Sequence, residues 1–380
     1  MRVTQSMLAS TNLRYINQGY ERLGKLQDQL TTGKKITRPS DDPVVAMKGM
    51  RYRSEVNEIG QFKRNLDEVY NWMENSDTTL DKVTQAMQRI NELAVQGAND
   101  TYDSSQRNSI ATEIEQVLAH IEALANTKVN NKYIFNGTDT TSKPVDITKF
   151  DIPVGDTTFA SLSNEDHYIM FHDTNGKDIK LSYNPASVSP ILEFTDGANK
   201  SITIDYTTPT SPVVTYDDSS DATAPAALDP KQYSINHKDG VSVNNNSVNI
   251  EVMKGIHLGV NIKPQSVFSA GLFKDVNNLI KELRTATTGD EIDDYLTKVQ
   301  SRVDSLLKER SELGARFNRA EMIEERVKEH EVIAINIMSQ NEDIDAERVI
   351  IDLKNQETVH RAALAAGARI IQPTLMDFLR

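Results

Sequence analysis

The sequence predicts an α+β multidomain protein. A long helical rod, a coiled-coil-like bundle, is built from both ends of the chain, with an all-β domain inserted between them. Three observations predict it. Residues 43–127 and 266–380 repeat apolar side chains at three- and four-residue steps, the signature of helices with an apolar seam. Residues 141–265 hold nine of the twelve prolines and no arginine, with short valine–isoleucine alternations among Thr, Ser, Asn and Asp. The 380-residue length suits two or three domains.

The first rod helix starts at Pro43, where Asp41-Asp42 supply an acidic cap before a proline at the first helical position. Phe62, Leu66, Val69, Met73, Leu80, Val83, Met87, Ile90 and Ala94 then form one seam, broken only by Ser76. Running to Asn99, this helix would be roughly 85 Å long. After Gly97-Ala98-Asn99-Asp100, a second helix carries Ile110, Ile114, Val117, Ile121 and Leu124. A third begins near Ser266 and breaks at Thr287–Asp290. The long helix that follows carries Leu296, Val299, Val303, Leu306, Leu313, Phe317 and Ala320, then Ile323 and Val327, with Arg310 as a polar intrusion. Gly314 is read as permitting close helix packing. The two long helices are expected to lie side by side.

Ser201–Tyr206, Val241–Val243 and Val248–Val252 alternate with period two and read as half-buried strands, among seven to nine in residues 141–265. Asn136-Gly137 and Asn175-Gly176 are hairpin-turn candidates. The expected division is 1–42 with 342–380 as terminal amphipathic helices, 43–140 with 266–341 as a rod domain carrying a small β-hairpin, and 141–265 as a surface-exposed β domain.

Composition excludes several chemistries. With no cysteine there are no disulfides, thiolate nucleophiles or cysteine-held metals. A net charge of −13 argues against non-specific nucleic-acid binding, which needs basic surface. No stretch reaches the roughly 18 apolar residues of a membrane span, so no membrane insertion is expected. The first seven residues show no basic region followed by an apolar core, so no cleavable secretory signal is expected. The seven histidines fit no metalloprotease spacing, and His167 and His172, the nearest pair, read as surface or strand residues. Neither a phosphate-binding glycine loop nor a nucleophile elbow occurs. The expectation is a non-enzyme without catalytic residues, cofactor or metal. Trp72 lies between heptad positions, buried either by its own chain or by a neighbour.

The chain ends are the most informative. Leu13, Ile16, Tyr20, Leu23 and Leu30 share one heptad seam, with Gln27 as its polar exception. Ala346, Ile350, Leu353, Leu364, Gly367 and Ile371 share another, interrupted by Glu357 and His360. Thr32-Gly33 and Pro39–Pro43 separate the first from the rod, and Glu342–Asp345 separate the last. A single pair of such helices has little core, so each is expected to order when partners bury its seam. Residues 1–40 carry seven basic and two acidic groups, against five basic and seven acidic in 341–380.

Leu30-Thr31-Thr32-Gly33-Lys34-Lys35-Ile36-Thr37-Arg38-Pro39-Ser40-Asp41-Asp42-Pro43 resembles the N-terminal signature of the bacterial flagellin family. Leu364–Leu379 resembles its closing helix. The resemblance covers roughly 1–137 and 266–380. Arg38-Pro39-Ser40-Asp41-Asp42-Pro43 replaces the Ala-Lys-Asp-Asp-Ala-Ala type of segment of filament flagellins, and the chain closes on Leu375-Met376-Asp377-Phe378-Leu379 rather than a leucine pair. Both departures resemble the branch of the family found at the junction between hook and filament. The resemblance implies an inner wall of terminal helices, a rod around it and an outer β domain. It also implies an extracellular flagellar protein exported unfolded through the flagellar type III apparatus. Its implied partners are other copies of the chain, a neighbouring hook-associated protein and flagellin, and an export chaperone. Leu13, Ile16, Tyr20, Leu23, Leu30, Ile350, Leu353, Leu364, Ile371, Leu375 and Phe378 are the expected assembly interface. The alternatives are a filament flagellin and, in another class, a secreted adhesin-like binding protein.

Overall fold

A computed structural model describes residues 5–154, 157–163, 165–172, 178–187, 189–197, 200–208, 212–218, 226–228, 233–286 and 288–371. It is an α+β chain with long helices near both ends and a separate sheet between them. Contacts divide it into two compact units: residues 1–64 with 324–380, and residues 65–323. Two helices, α2 (Pro43–Gly97) and α7 (Asp290–Glu342), contribute to both units.

The unit of residues 65–323 has a closed core. Along α2 the seam Leu66, Val69, Met73, Leu80, Val83, Met87, Ile90 and Ala94 is at most 1% exposed. Ser76 joins it without an unmet hydroxyl, donating to the Trp72 carbonyl at 2.9 Å. The α7 segment runs antiparallel beside α2. Tyr70 meets Phe317 at a tilt of 59° with 5.2 Å between ring centroids, Arg310 bridges Asp77 and Asp81, and Asn91 meets Gln300. Arg310 therefore reads as an interhelical clamp rather than a flaw in the seam. Trp72 is buried within this unit, though its indole N–H has no acceptor among the described residues. Gly314 differs from expectation: a side chain there would meet open space, so nothing packs closely on it.

Helix α3 (Ser104–Ala125) opens on a reciprocal capping box between Asp103 and Gln106. It buries Ile110, Ile114, Leu118, Ile121 and Leu124, with Leu118 taking the place expected for half-buried Val117. The short α5 is Pro264–Val267, and α6 (Ala270–Thr285) is capped by the Ser269 hydroxyl. Buried Arg107 donates to the carbonyls of Gly97 and Ala286, where α2 and α6 end. A cation there offsets the negative helix ends.

The first hairpin corrects the turn prediction. Strands β1 (Lys128–Val129) and β2 (Lys132–Tyr133) turn at Asn130-Asn131, with φ of 50° and 65°. Two consecutive positive φ values make the turn type that suits antiparallel strands, and asparagine tolerates them. Asn136-Gly137 instead forms a separate turn, closed by Asp139 N–H to the Asn136 carbonyl. Asn175-Gly176 lies outside the described residues.

Beyond α4 (Phe159–Leu162), a seven-stranded antiparallel sheet forms. Its strands are β3 (His167–His172), β4 (Asp178–Tyr183), β5 (Ile191–Thr195), β6 (Lys200–Asp205), β7 (Val213–Asp218), β8 (Ala226–Ala227) and β9 (Tyr233–His237). Their order is β8-β7-β6-β5-β4-β3-β9, a meander whose last strand returns beside its first. Alternation puts Ile169, Phe171, Leu181, Phe194, Ile202 and Ile204 in one core with Leu162 of α4. Strands β10 (Asn249–Met253) and β11 (Ile256–Gly259) form a further hairpin. The expected strand at Val241–Val243 is absent: Val241 makes one isolated bridge to Val145, and Val243 is exposed.

Candidate assembly surface

The unit of residues 1–64 and 324–380 is built differently. It consists of two antiparallel helix pairs: α1 (Gln5–Thr32) with α8 (Ala346–Ile371), and the start of α2 with the end of α7, joined by Asn341 to Val45, Arg53 to Glu342 and Lys63 to Glu331. A pair of helices can bury one stripe of each and must leave the rest outside.

The linkers joining the pairs are tied together. Gly33, at φ +69°, ends α1 and returns its N–H to the Gln29 carbonyl at 2.8 Å, the left-handed C-cap that glycine permits. The chain then pairs antiparallel with the other linker. Lys35 N–H reaches the Glu342 carbonyl at 2.7 Å, and Ile344 N–H reaches the Gly33 carbonyl at 3.1 Å. Asp42 caps α2, accepting from the Val44 and Val45 amides at 3.0 and 3.1 Å. Asp41 folds back onto the Thr37 and Arg38 amides, and those bonds, the Arg38 one foremost, hold its carboxyl below the usual range.

Glu342 is the hub of this junction. Its side chain is 5% exposed and accepts a forked pair from Arg53 at 2.6–3.1 Å, with Lys34 at 3.5 Å. The Arg53 bonds hold the Glu342 carboxyl below its usual range, and Lys34 does the same for Asp343 at 2.6 Å. The carboxylate lies on Gly49, where an added Cβ would be 2.5 Å from Oε1. Gly49 therefore makes room for the fork.

Between α1 and α8 the buried seam is narrow. Ile16 turns inward at 9% exposure, beside Gly367, where an added Cβ would be 3.0 Å from Asn12 Nδ2 and 3.4 Å from Ile16 Cδ1. One turn on, His360 fills the space over Gly19 and meets the Tyr20 ring edge-on at 4.1 Å between centroids. His360 is 6% exposed, and neither ring nitrogen has a hydrogen-bond partner among the described residues.

Most of the sequence-predicted interface residues do not enter this seam. Leu13, Leu30, Ile350 and Leu364 are exposed, at 51, 39, 40 and 41%, and Tyr20 touches the seam only at His360 and is 57% exposed. Leu23 and Leu353 are half-buried, and only Ile16 is buried. Ile371 ends α8 with its side chain outside the description, and Leu375 and Phe378 lie outside the described residues. Sequence reasoning missed Gly19 and Val349, which are buried, and Met7, Tyr15, Ile351 and Val359, which are exposed. The rod pair adds exposed Val44, Met47 and Met50 on α2 and Val332, Ile333, Ile335 and Ile337 on α7. Amphipathic counting finds one seam per helix, so a second exposed apolar face on the same helix escapes it.

Among the described residues no helix is long and apolar enough to cross a membrane, and no group of three or more His, Cys, Asp or Glu is gathered as for a metal ion. This surface offers exposed apolar side chains and a charged junction.

Residues 3–140 match the family model of the bacterial flagellin N-terminal helical region. This part of the chain is similar to the flagellin N-terminal region. Among similar curated proteins, flagellar hook-associated protein 3 of Salmonella typhimurium is 30% identical over 147 residues, which are 38% of this chain and 46% of that protein. A flagellin of Clostridium tyrobutyricum is 26% identical over 138 residues, 36% of this chain and 37% of that one. The match thus spans less than half the length of these relatives. A solved structure of a Vibrio parahaemolyticus protein described as flagellar hook-associated covers 80% of this chain and all of its own, with a TM-score of 0.53 and 15% identity. That likeness concerns the fold alone.

Proposed function

We propose that this chain is a structural subunit of the bacterial flagellum, joining hook to filament by assembling through α1 and α8. The observation that carries the reading is the band of exposed apolar side chains on these helices, Leu13, Tyr20 and Leu30 on one and Ile350 and Leu364 on the other. Large apolar side chains left exposed along both helices of a pair support a protein-binding face. The helix pair is narrow on its own and becomes a core only when other copies cover it, so folding of the ends is coupled to assembly. Leu23, Leu353, Ile371, Leu375 and Phe378 belong to the same proposed interface.

In this reading residues 1–42 and 342–380 form the inner assembly layer, 43–140 and 266–341 the rod, and 141–265 the solvent-facing β domain. Its partners are other copies, a neighbouring hook-associated protein and flagellin, and an export chaperone. The protein leaves through the flagellar type III apparatus, is extracellular, and carries no catalysis. Electron microscopy of a deletion strain tests this: hooks without filaments, with flagellin shed into the medium, are expected. Normal filaments overturn it.

The match to a filament flagellin supports a second reading, a filament subunit. The purified chain then polymerises on its own seeds into long filaments, whereas a junction subunit adds only to hook ends.

A further inference from the structure

Between the linker after α1, the start of α2 and Glu342 lies a cavity of about 140 Å³. Its floor is apolar, made of Ile36, Pro39, Val45, Ala46 and Met50. Its charged lining is unequal: Lys34, Arg38 and Arg53 stand against the carboxylate of Glu342. Lys34 and Arg53 already engage that carboxylate. Arg38 is exposed, its backbone bonds to Asp41, and its guanidinium has no partner among the described residues. An apolar hollow of this order admits a group the size of benzene. Beside an unengaged guanidinium, it suits an aliphatic side chain with a carboxylate one helical turn away.

The same unit presents such a group. On α7, Glu325, Glu329, Val332 and Ile333 follow one another at the spacing of a single helix face. All four are exposed, Val332 at 59% and Ile333 at 55%, and they lie opposite buried Val327 and Ala334. Glu325 and Glu329 have no partner among the described residues, whereas Glu324 is taken by Lys328 and Glu331 by Lys63. Val332 precedes Glu342 by ten residues on the same helix. That is roughly 15 Å along the axis, so Val332 does not reach the cavity of its own chain.

We propose that the cavity receives Val332 of a second copy of this chain, with that copy's Glu329 on Arg38. The contact rests on the reading that copies assemble, and adds to α1 and α8 a second interface, on the α2–α7 pair. Charge selects the α7 stripe over exposed Ile351 of α8. Glu347 lies one turn before Ile351, but Lys354 lies one turn after it and would meet the cationic lining. The stripe on α7 continues instead with uncharged Asn336.

The chain has no cysteine, so introduced thiols report one contact at a time. Full-length Met50→Cys and Val332→Cys chains are mixed and oxidised, both bound to isolated hooks and as concentrated free protein. A disulfide needs Cα atoms within about 7 Å of each other. A mixed 50–332 dimer is expected on non-reducing gels, identified by mass spectrometry of its linked peptide. Met50→Cys with Ile351→Cys should give at least about tenfold less. Arg38→Glu should cut the 50–332 yield about tenfold, and adding Glu329→Arg should restore it, since like charges brought together at an interface are costly and a reversed pair is complementary again. Absence of the 50–332 adduct from both samples overturns the proposal. So does a 50–351 adduct of equal yield, or a 50–332 yield that Arg38→Glu leaves unchanged. A chain that pellets with hooks but forms no adduct loses this contact and keeps the junction role. An adduct in free protein that does not pellet with hooks keeps the contact and loses that role.

Discussion

The two units solve the same problem in opposite ways. In residues 65–323, α2 meets α3, α6 and α7 or lies near strands, and its seam from Leu66 to Ala94 is almost wholly shielded. In the other unit, helices of comparable amphipathicity meet one partner each, and Leu13, Tyr20, Ile351 and Val359 stay more than half exposed. An amphipathic seam therefore does not say by itself whether it is buried. The number of partners decides, and a chain that stops at two helices leaves surface for another molecule.

The largest expected effect follows from removing the open pairs. Deleting residues 1–40 and 345–380 should leave a folded, soluble monomer that no longer assembles, seen as a retained circular dichroism spectrum and a single small species by sedimentation. An unfolded product would mean the closed unit depends on the terminal helices. Next in size, Phe194→Ala, in the fully buried sheet core, should cost about 3–5 kcal/mol in chemical denaturation. Leu364→Ser, on exposed α8, should change monomer stability by less than about 0.5 kcal/mol. A large cost at Leu364 would erase the contrast between the units.

Smaller effects probe the charged junction. Arg53→Ala removes the fork on buried Glu342. Hydrogen bonds to charged groups contribute roughly 1.5–3 kcal/mol, and Arg53 is 61% exposed, so about 1 kcal/mol is expected after screening. Glu342 and Asp343 both ionise below their usual range, so their contribution is complete above the unfolded-state values and is lost as pH falls through the lower folded ones. Acid should loosen this unit in the wild type and do so less in Glu342→Gln. Smallest is His167, whose folded pKa is depressed. The stability from keeping it neutral is present above pH about 6.5 and falls on acidification. His167→Gln should flatten that part of the stability–pH curve.

The rod was legible because its heptads are long and its breaks are chemical: Asp42 before Pro43, and Gly289 against the Ala98 carbonyl with no room for a Cβ; the third helix, expected from near Ser266, instead opens at Ala270 on the Ser269 cap after the short α5. The sheet was legible as alternation at Ile202, Ile204 and Tyr206, yet the same pattern at Val241–Val243 made no strand, since strands also need a partner edge. Asn130-Asn131 carries a left-handed turn that two asparagines tolerate, but Asn-Gly at 136–137 is the stronger hairpin signal in the sequence. The meeting of His167 with His237 depends on register across 70 residues, and one sequence does not carry register. On the terminal helices the seam was legible. That Ile16 turns inward while Leu13 faces out and Tyr20 only leans on His360 was not, because it depends on Gly19 and Gly367 admitting the partner helix.

We propose that the exposed faces of α1 and α8 serve assembly rather than folding. Co-sedimentation of the purified full chain with isolated hooks tests it, comparing wild type with a Leu13→Ser, Leu364→Ser double variant of unchanged melting temperature. The wild type should pellet with hooks and the variant should stay in the supernatant. A variant that pellets as the wild type does would contradict the claim.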